Sequence, residues 1–282
     1  MNDITLDNGV KMPQEGYGVF QIPPEECERC VTDALSVGYR LIDTASAYGN
    51  EEGVGAAMKK SGIPREELFI TTKLWVQDMG YKGAKRAAEA SMKRLGVDYL
   101  DLYLIHQPFG DYYGAWRAME EMYREGTIRA IGVCNFDDAR LVDLCVNHEI
   151  QPAVNQVEIH PFYQQTSAIL TMRRYKVQPE AWGPLSEGQK NIFCHRLLGK
   201  IAARYGKSTA QVILRWNIQR GVVVIPKSAR KERMEENMNI WDFTLDSKDM
   251  DAIAALDIGY SEIINHYSSS TARALNAMKI HP

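Results

Sequence analysis

The sequence predicts an α/β fold, a (β/α)8 barrel of parallel strands and crossover helices, with an N-terminal β-hairpin and a C-terminal extra helix and tail. Three observations carry that expectation. Strand-like and helix-like stretches alternate eight times from Gly16 onward; such alternation favours parallel strands, and eight units favour closure. The pattern runs on without a composition break, a linker or a low-complexity segment, so residues 1–282 are expected to form one domain. Finally, the strand-like runs Leu41-Ile-Asp43, Leu68–Lys73 and Asp98–His106 end in a carboxylate, an ammonium and an imidazole. The C-terminal strand ends are where such barrels place their active sites.

Taken in order, Ile4 to Met12 reads as a hairpin turning at Asn8-Gly9. Gly16–Phe20 is a first strand, followed by a helix from about Glu25 to Ser36 that stops at Val37-Gly38. Strand Tyr39–Thr44, helix Glu51–Lys60, strand Leu68–Leu74, helix Lys82–Leu95 with Gly96 behind it, and strand Tyr99–His106 come next. Helix Tyr113–Arg124 stops at Glu125-Gly126, and strand Ile128–Val133 leads to Asn135. Helix Asp137–Val146, strand Ala153–Ile159, helix Ser167–Arg174 and strand Gln178–Trp182 follow. Helical material between Arg196 and Arg220, broken at Gly206, precedes the apolar strand Val222–Ile225 and helix Ala229–Asn239. Helix Ser247–Leu256 and an irregular tail to Pro282 lie outside the count.

A hydrophobic fraction of 45% and a charged fraction of 24% are ordinary for a globular chain of 282 residues. A formal charge of -3 and a pI near 6.1 give no basic footprint, so neither nucleic acid nor an anionic membrane is expected as a partner. The N-terminus lacks the basic and apolar regions of a signal peptide, and no apolar run approaches the roughly 20 residues of a membrane span. With five cysteines, an odd number that suits reduced thiols, the expectation is a cytoplasmic monomer. Cys27 and Cys30 form a Cys-x-x-Cys at a helix start, formally a redox context. Glu25 and Glu26 in the same first turn oppose a thiolate there.

The chemistry follows from four residue types sharing one pocket. A phenol such as Tyr48 is a poor proton donor alone, and a neighbouring ammonium, Lys73, favours its ionised form. A carboxylate, Asp43, keeps the lysine charged and oriented, while a neutral imidazole, His106, can hold a substrate oxygen. This set suits proton delivery to a carbonyl oxygen as its carbon receives hydride, which a cofactor must supply. A doubly wound nucleotide fold is disfavoured because Gly16-Tyr-Gly18-Val-Phe-Gln21 lacks the third glycine of the dinucleotide fingerprint.

The stretches Asp43-Thr-Ala-Ser-Ala-Tyr48-Gly-Asn-Glu, Lys73-Leu-Trp75, Leu104-Ile-His106, Gly132-Val-Cys-Asn135-Phe, Asn155-Gln156-Val-Glu, Ile225-Pro-Lys227-Ser228 and Arg233–Asn237 together resemble the aldo-keto reductase family. The likeness runs from Gly16 to about Leu256 and is nearest in style to bacterial members of the 2,5-diketogluconate and glyoxal reductase type. It implies a TIM barrel that uses NADPH without a Rossmann domain, acts on a small-molecule carbonyl substrate, and carries a tetrad of Asp43, Tyr48, Lys73 and His106. Tyr48 would be the general acid, Lys73 would lower its pKa, and His106 would position the carbonyl. Asn135 and Gln156 would hold the nicotinamide carboxamide, Trp182 would stack on the ring, and Pro184 and Leu185 would line the channel. Lys227, Ser228 and Arg233 would grip the adenosine 2'-phosphate at a helix N-terminus, with Glu236 and Asn237 on the adenine. Phe20, Trp75 and His106 would wall the substrate pocket.

The sequence departs from the family at three places. Cys134 stands where serine is usual, Trp182 replaces a tyrosine, and Ile258–Pro282 does not match the usual ending, which leaves substrate choice open. Met119 and Met122 read as core. Two other readings are a barrel that binds NADPH as a redox sensor with negligible turnover, and a thiol oxidoreductase built on Cys27 and Cys30.

Overall fold

The computed structural model describes residues 2–282. Strands β1 (Asp3–Thr5) and β2 (Lys11–Pro13) pair antiparallel, with Ile4 opposite Met12, and the turn holds Asn8-Gly9 as expected. Then come β3 (Gly16–Gly18), α1 (Pro24–Val37), β4 (Leu41–Asp43), α2 (Glu51–Ser61), β5 (Phe69–Leu74), α3 (Tyr81–Leu95), β6 (Leu102–Ile105) and α4 (Tyr112–Glu125). They continue with β7 (Ile131–Cys134), α5 (Asp138–Asn147), β8 (Val154–Glu158), α6 (Thr166–Arg174) and β9 (Gln178–Trp182). The chain ends with α7 (Arg196–Tyr205), α8 (Thr209–Gln219), β10 (Val223–Val224), α9 (Lys231–Met238), α10 (Ser247–Ala254) and α11 (Ser269–Ala277).

Strands β3 to β10 form one eight-stranded parallel sheet in sequence order. Its two edges meet: Glu15 bridges Val224 in parallel, the Val224 amide donates to Gln14 O at 3.1 Å, and the Gly18 amide donates to Pro226 O at 3.3 Å. Gly18 is required at this seam, because a Cβ there would lie 2.9 Å from Ile225 O. Closure pairs the two edge strands of this sheet, β3 and β10, with each other's flanks.

Period-two alternation separates two cores. Outward residues such as Ile42, Ile70, Tyr103, Ile105 and Val133 pack beneath the helices. Leu41, Phe69, Leu102, Leu104, Ala130, Val154, Val223 and Ile225 fill the barrel, and Leu6 and Met12 from the hairpin plug it. The Asn8 amide donating to Arg129 O at 3.0 Å places that plug at the N-terminal end of β7, so the opposite, C-terminal end is the open one.

Helix stops match the sequence: Gly96 ends α3 in the left-handed region at φ 67°, where a side chain would be strained. Other boundaries move. The helix expected over Ala229–Asn239 begins at Lys231, because the Arg230 amide is taken by Ser228 Oγ at 3.1 Å in a turn. The break at Gly206 gives two helices, and Ser208 and Gln211 start the second with a capping box. The tail is not irregular: α11 forms there, and Trp75 Nε1 donates to Met278 O at 3.0 Å just beyond it.

Cys27 and Cys30 are fully buried in the outer core, and burial, with Cys30 adding, pushes the Cys27 thiol up to about 12. A redox dithiol needs the reverse. Met119 and Met122 are core, as expected.

Candidate active site

The alternation that packs Leu41, Phe69 and Leu104 inside the barrel also turns Asp43, Lys73 and His106 inward where β4, β5 and β6 end. Tyr48 enters from the turn of helix at Ser46–Tyr48 just after β4. All four meet at the open end. Lys73 is fully buried and its three ammonium hydrogens are all engaged: Nζ donates to Asp43 Oδ1 at 2.5 Å, to Thr44 O at 2.9 Å and to Tyr48 Oη at 3.3 Å. Because the phenol oxygen accepts from Lys73, its own O–H is free to donate elsewhere.

The electrostatics differ in one respect from expectation. Burial raises the Tyr48 pKa well above the ordinary value; Lys73 pulls it back and Asp43 pushes it up again. Lys73 acts in the expected direction, but desolvation of the phenolate outweighs it, so Tyr48 stays protonated at neutral pH. Burial works against the Lys73 ammonium too, yet Asp43 and Tyr48 prevail and its pKa rises. His106 is held well below its ordinary value by burial first and then by the Lys73 charge. Its ring is therefore neutral. His106 Nδ1 is buried with no partner, so the single ring proton finds no acceptor there. On Nε2 the ring becomes a donor for a group in the cavity that His106 lines.

That cavity, about 590 Å³, is lined by Asp43, Tyr48, Trp75, His106, Asn135, Gln156, Trp182, Pro184, Leu185 and Lys227, with Phe20 at its mouth. Ser228, Arg233, Glu236 and Asn237 lie beyond its rim, on the turn after β10 and on α9. Among the described residues, Lys227, Arg230, Lys231 and Arg233 form no salt bridge. Trp182 Nε1 donates to Asn135 Oδ1 at 2.8 Å and Asn135 Nδ2 to His106 O at 3.1 Å, which fixes the indole and the amide against each other. Gln156 Nε2 donates to Asp43 Oδ2 at 2.8 Å and to Glu180 Oε2 at 2.9 Å, so only its oxygen remains for a ligand.

Several contributors escaped the sequence reading. Ile263, Ile264, His266, Leu275 and Met278 of the tail form the far wall, where His266 Nε2 lies 3.0 Å from Gln107 Oε1. Ser261 Oγ donates to Glu158 Oε2 at 2.6 Å and ties the tail down. Glu180 stands two residues before Trp182, and the two-residue period of a strand, counted back from Trp182 at the strand end, turns Glu180 inward as well.

A model of the aldo/keto reductase family matches residues 8–258. The chain is 50% identical over 256 residues to the glyoxal reductase of Bacillus subtilis, covering 90% of this chain and 92% of that one. It is 46% identical over 259 residues to the methylglyoxal reductase of Escherichia coli K12, covering 91% and 94%. Among solved structures, an aldo-keto reductase of Bombyx mori in complex with NADP superposes with a TM-score of 0.89 at 32% identity, covering 94% of this chain and 95% of that one. Residues 259–282, which build the far wall, lie outside the family match.

Proposed function

The chain belongs to the aldo/keto reductase family, and from that premise we propose that the open end of its barrel is the active site of an NADPH-dependent reductase of aldehydes and ketones, with Asp43, Tyr48, Lys73 and His106 as its catalytic residues. The observation that carries the reading is the buried Lys73, bonded to Asp43 on one side and to the Tyr48 phenol on the other, both of which line the cavity.

The residues present fit the cofactor. Trp182, fixed by Asn135, offers a flat face, and the Gln156 oxygen and Asn135 would hold a carboxamide. Pro184 and Leu185 would line the channel. Lys227, Ser228 and Arg233 would hold the 2'-phosphate, with Glu236 and Asn237 beside the adenine. When bound, NADPH supplies the hydride that reduces the carbonyl carbon. The chain supplies the rest: His106 Nε2–H orients the carbonyl oxygen, and Tyr48 gives that oxygen its proton, because its own O–H is left free by the bond from Lys73.

At the substrate end, Phe20, Trp75, Ile264, Leu275 and Met278 are apolar, and burial, with the Arg140 charge adding, pushes His266 down to about 4, so it is neutral. Among the described residues no cationic side chain lines that end, and we infer that the substrate is an uncharged carbonyl compound. We propose further that the protein acts in the cytoplasm as one domain, 1–282, and a monomer with no nucleic-acid partner. Among the described residues no helix is long and apolar enough to cross a membrane, and all five cysteines are free.

The test is consumption of reduced nicotinamide with methylglyoxal, an aromatic aldehyde and its carboxylated analogue, using NADPH and NADH side by side. NADPH should exceed NADH in kcat/KM by about 10–100-fold, the worth of charge-assisted bonds to one phosphate. Arg233→Ala should remove most of that preference by raising KM for NADPH alone. Equal use of both cofactors, or faster turnover of the carboxylated aldehyde, would contradict the reading.

A further inference from the structure

Glu180 of β9 is fully buried inside the barrel and paired in register with Gln156, whose other register partner is Cys134. One of its oxygens, Oε2, accepts from Gln156 Nε2; the other, Oε1, is buried with no partner. The second hydrogen of the same amide goes to Asp43. A flipped amide would turn its oxygen to the Asp43 carboxylate, which has no proton to give, so Asp43 fixes its orientation. Hydrogen bonds thus run without a gap from Glu180 through Gln156, Asp43 and Lys73 to the Tyr48 phenol.

We propose that Glu180 is a positioning residue for the reduction, holding Asp43, and through it the Lys73 and Tyr48 pair, by way of the Gln156 amide. The proposal rests on the reductase reading above. Glu180 does not touch the reacting atoms; it acts through Gln156. The other groups facing it are Asp43 on β4, Lys73 on β5 and Cys134 on β7, while its partner on β10 is the apolar Val223. Burial, then the Asp43 charge, pushes the Glu180 carboxyl up to about 8, against the Gln156 bond and Lys73. It is therefore a neutral acid at pH 7. As pH rises through 8 it ionises and sets a second negative charge beside Asp43, which makes Tyr48 hold its proton more tightly. Reduction slows on the alkaline side as a result.

The experiment compares wild type, Glu180→Leu, Glu180→Gln and Tyr48→Phe in aldehyde reduction from pH 6 to 9. Glu180→Leu should lower kcat about tenfold at unchanged KM for the aldehyde, the worth of one hydrogen bond in the network. Glu180→Gln, which keeps the acceptor and cannot ionise, should restore most of kcat at pH 6 and lack the decline near pH 8. A second readout uses the protein without cofactor. The folded pKa lies above the unfolded one, so the stability Glu180 contributes is present below about 4.5 and lost as pH rises through about 8. The Tm of wild type should fall relative to Glu180→Gln between pH 6 and 9. Glu15, also pushed up to about 8 by burial, is common to both proteins and drops out of the difference. Wild-type kcat in Glu180→Leu, or a decline near pH 8 that persists in Glu180→Gln, overturns the proposal. If Glu180→Leu does not fold, the pH profile and Tm difference of Glu180→Gln decide alone. Turnover by Tyr48→Phe would instead overturn the reductase reading itself, whereas an inactive Tyr48→Phe beside an unaltered Glu180→Gln profile overturns only the role of Glu180.

Discussion

Tyr48→Phe leaves a folded protein that binds NADPH within about twofold of wild type and reduces a test aldehyde about 10³-fold more slowly, the scale of a lost general acid. The substitution removes one oxygen. The ring stays in place, because Phe20 and His106 pack against it with centroids 5.0 and 5.5 Å away. Lys73 keeps Asp43 and Thr44 and loses only its longest bond, at 3.3 Å. Stability should fall by about 1–3 kcal/mol, because one hydrogen of the buried Lys73 ammonium is left without an acceptor. The rate suffers far more, since no other described side chain in the site combines a free O–H with a lysine bonded to its oxygen. His106 can orient the carbonyl but is neutral, so giving up its one proton would leave an imidazolate. Titration of NADPH by fluorescence and single-turnover measurement of reduction separate binding from chemistry. Wild-type single-turnover rates in the variant would sink the assignment.

The sequence made the fold legible because barrel strands and their helices leave different periods, and glycines such as Gly96 mark where helices stop. Strand ends were read too long wherever apolar residues continue past the last ladder bond, as at β10, where only Val223 and Val224 pair with β9. The rule that the parallel strands of a barrel end together put Asp43, Lys73 and His106 at one face. Glu180 lies one layer below its strand end, where only the two-residue alternation of a strand, counted back from Trp182, turns it toward them. The tail was opaque for another reason. Ser269–Ala277 has no fully buried side chain, and what holds it is tertiary: Met278 O against Trp75, His266 against Gln107. Nor could the sequence give the sign of the Tyr48 shift, which depends on how completely the fold removes water from the phenol.

Removing either member of the buried Lys73 and Asp43 pair should cost about 3–5 kcal/mol of stability, because the partner is left as an uncompensated buried charge. Lys73→Met strands the Asp43 carboxylate with the Gln156 amide as its remaining side-chain donor. Asp43→Asn strands the ammonium, whose burial is then unopposed by the charge that had raised its pKa. Its folded pKa drops below the unfolded value near 10.4. The unfolded state then binds more protons, so the deficit relative to wild type should shrink as pH rises from 6 to 9. The two losses share one cause, so they should not add: the double variant Asp43→Asn with Lys73→Met should recover more than about 1 kcal/mol of the summed deficit in denaturant unfolding. Turnover should not recover with it, because Tyr48 then has neither the ammonium that bonds its oxygen nor the carboxylate that holds that ammonium. Deficits that add to within about 0.5 kcal/mol would mean that the two groups are not coupled in the folded protein. A double variant that regained both stability and turnover would show that the phenol works without them.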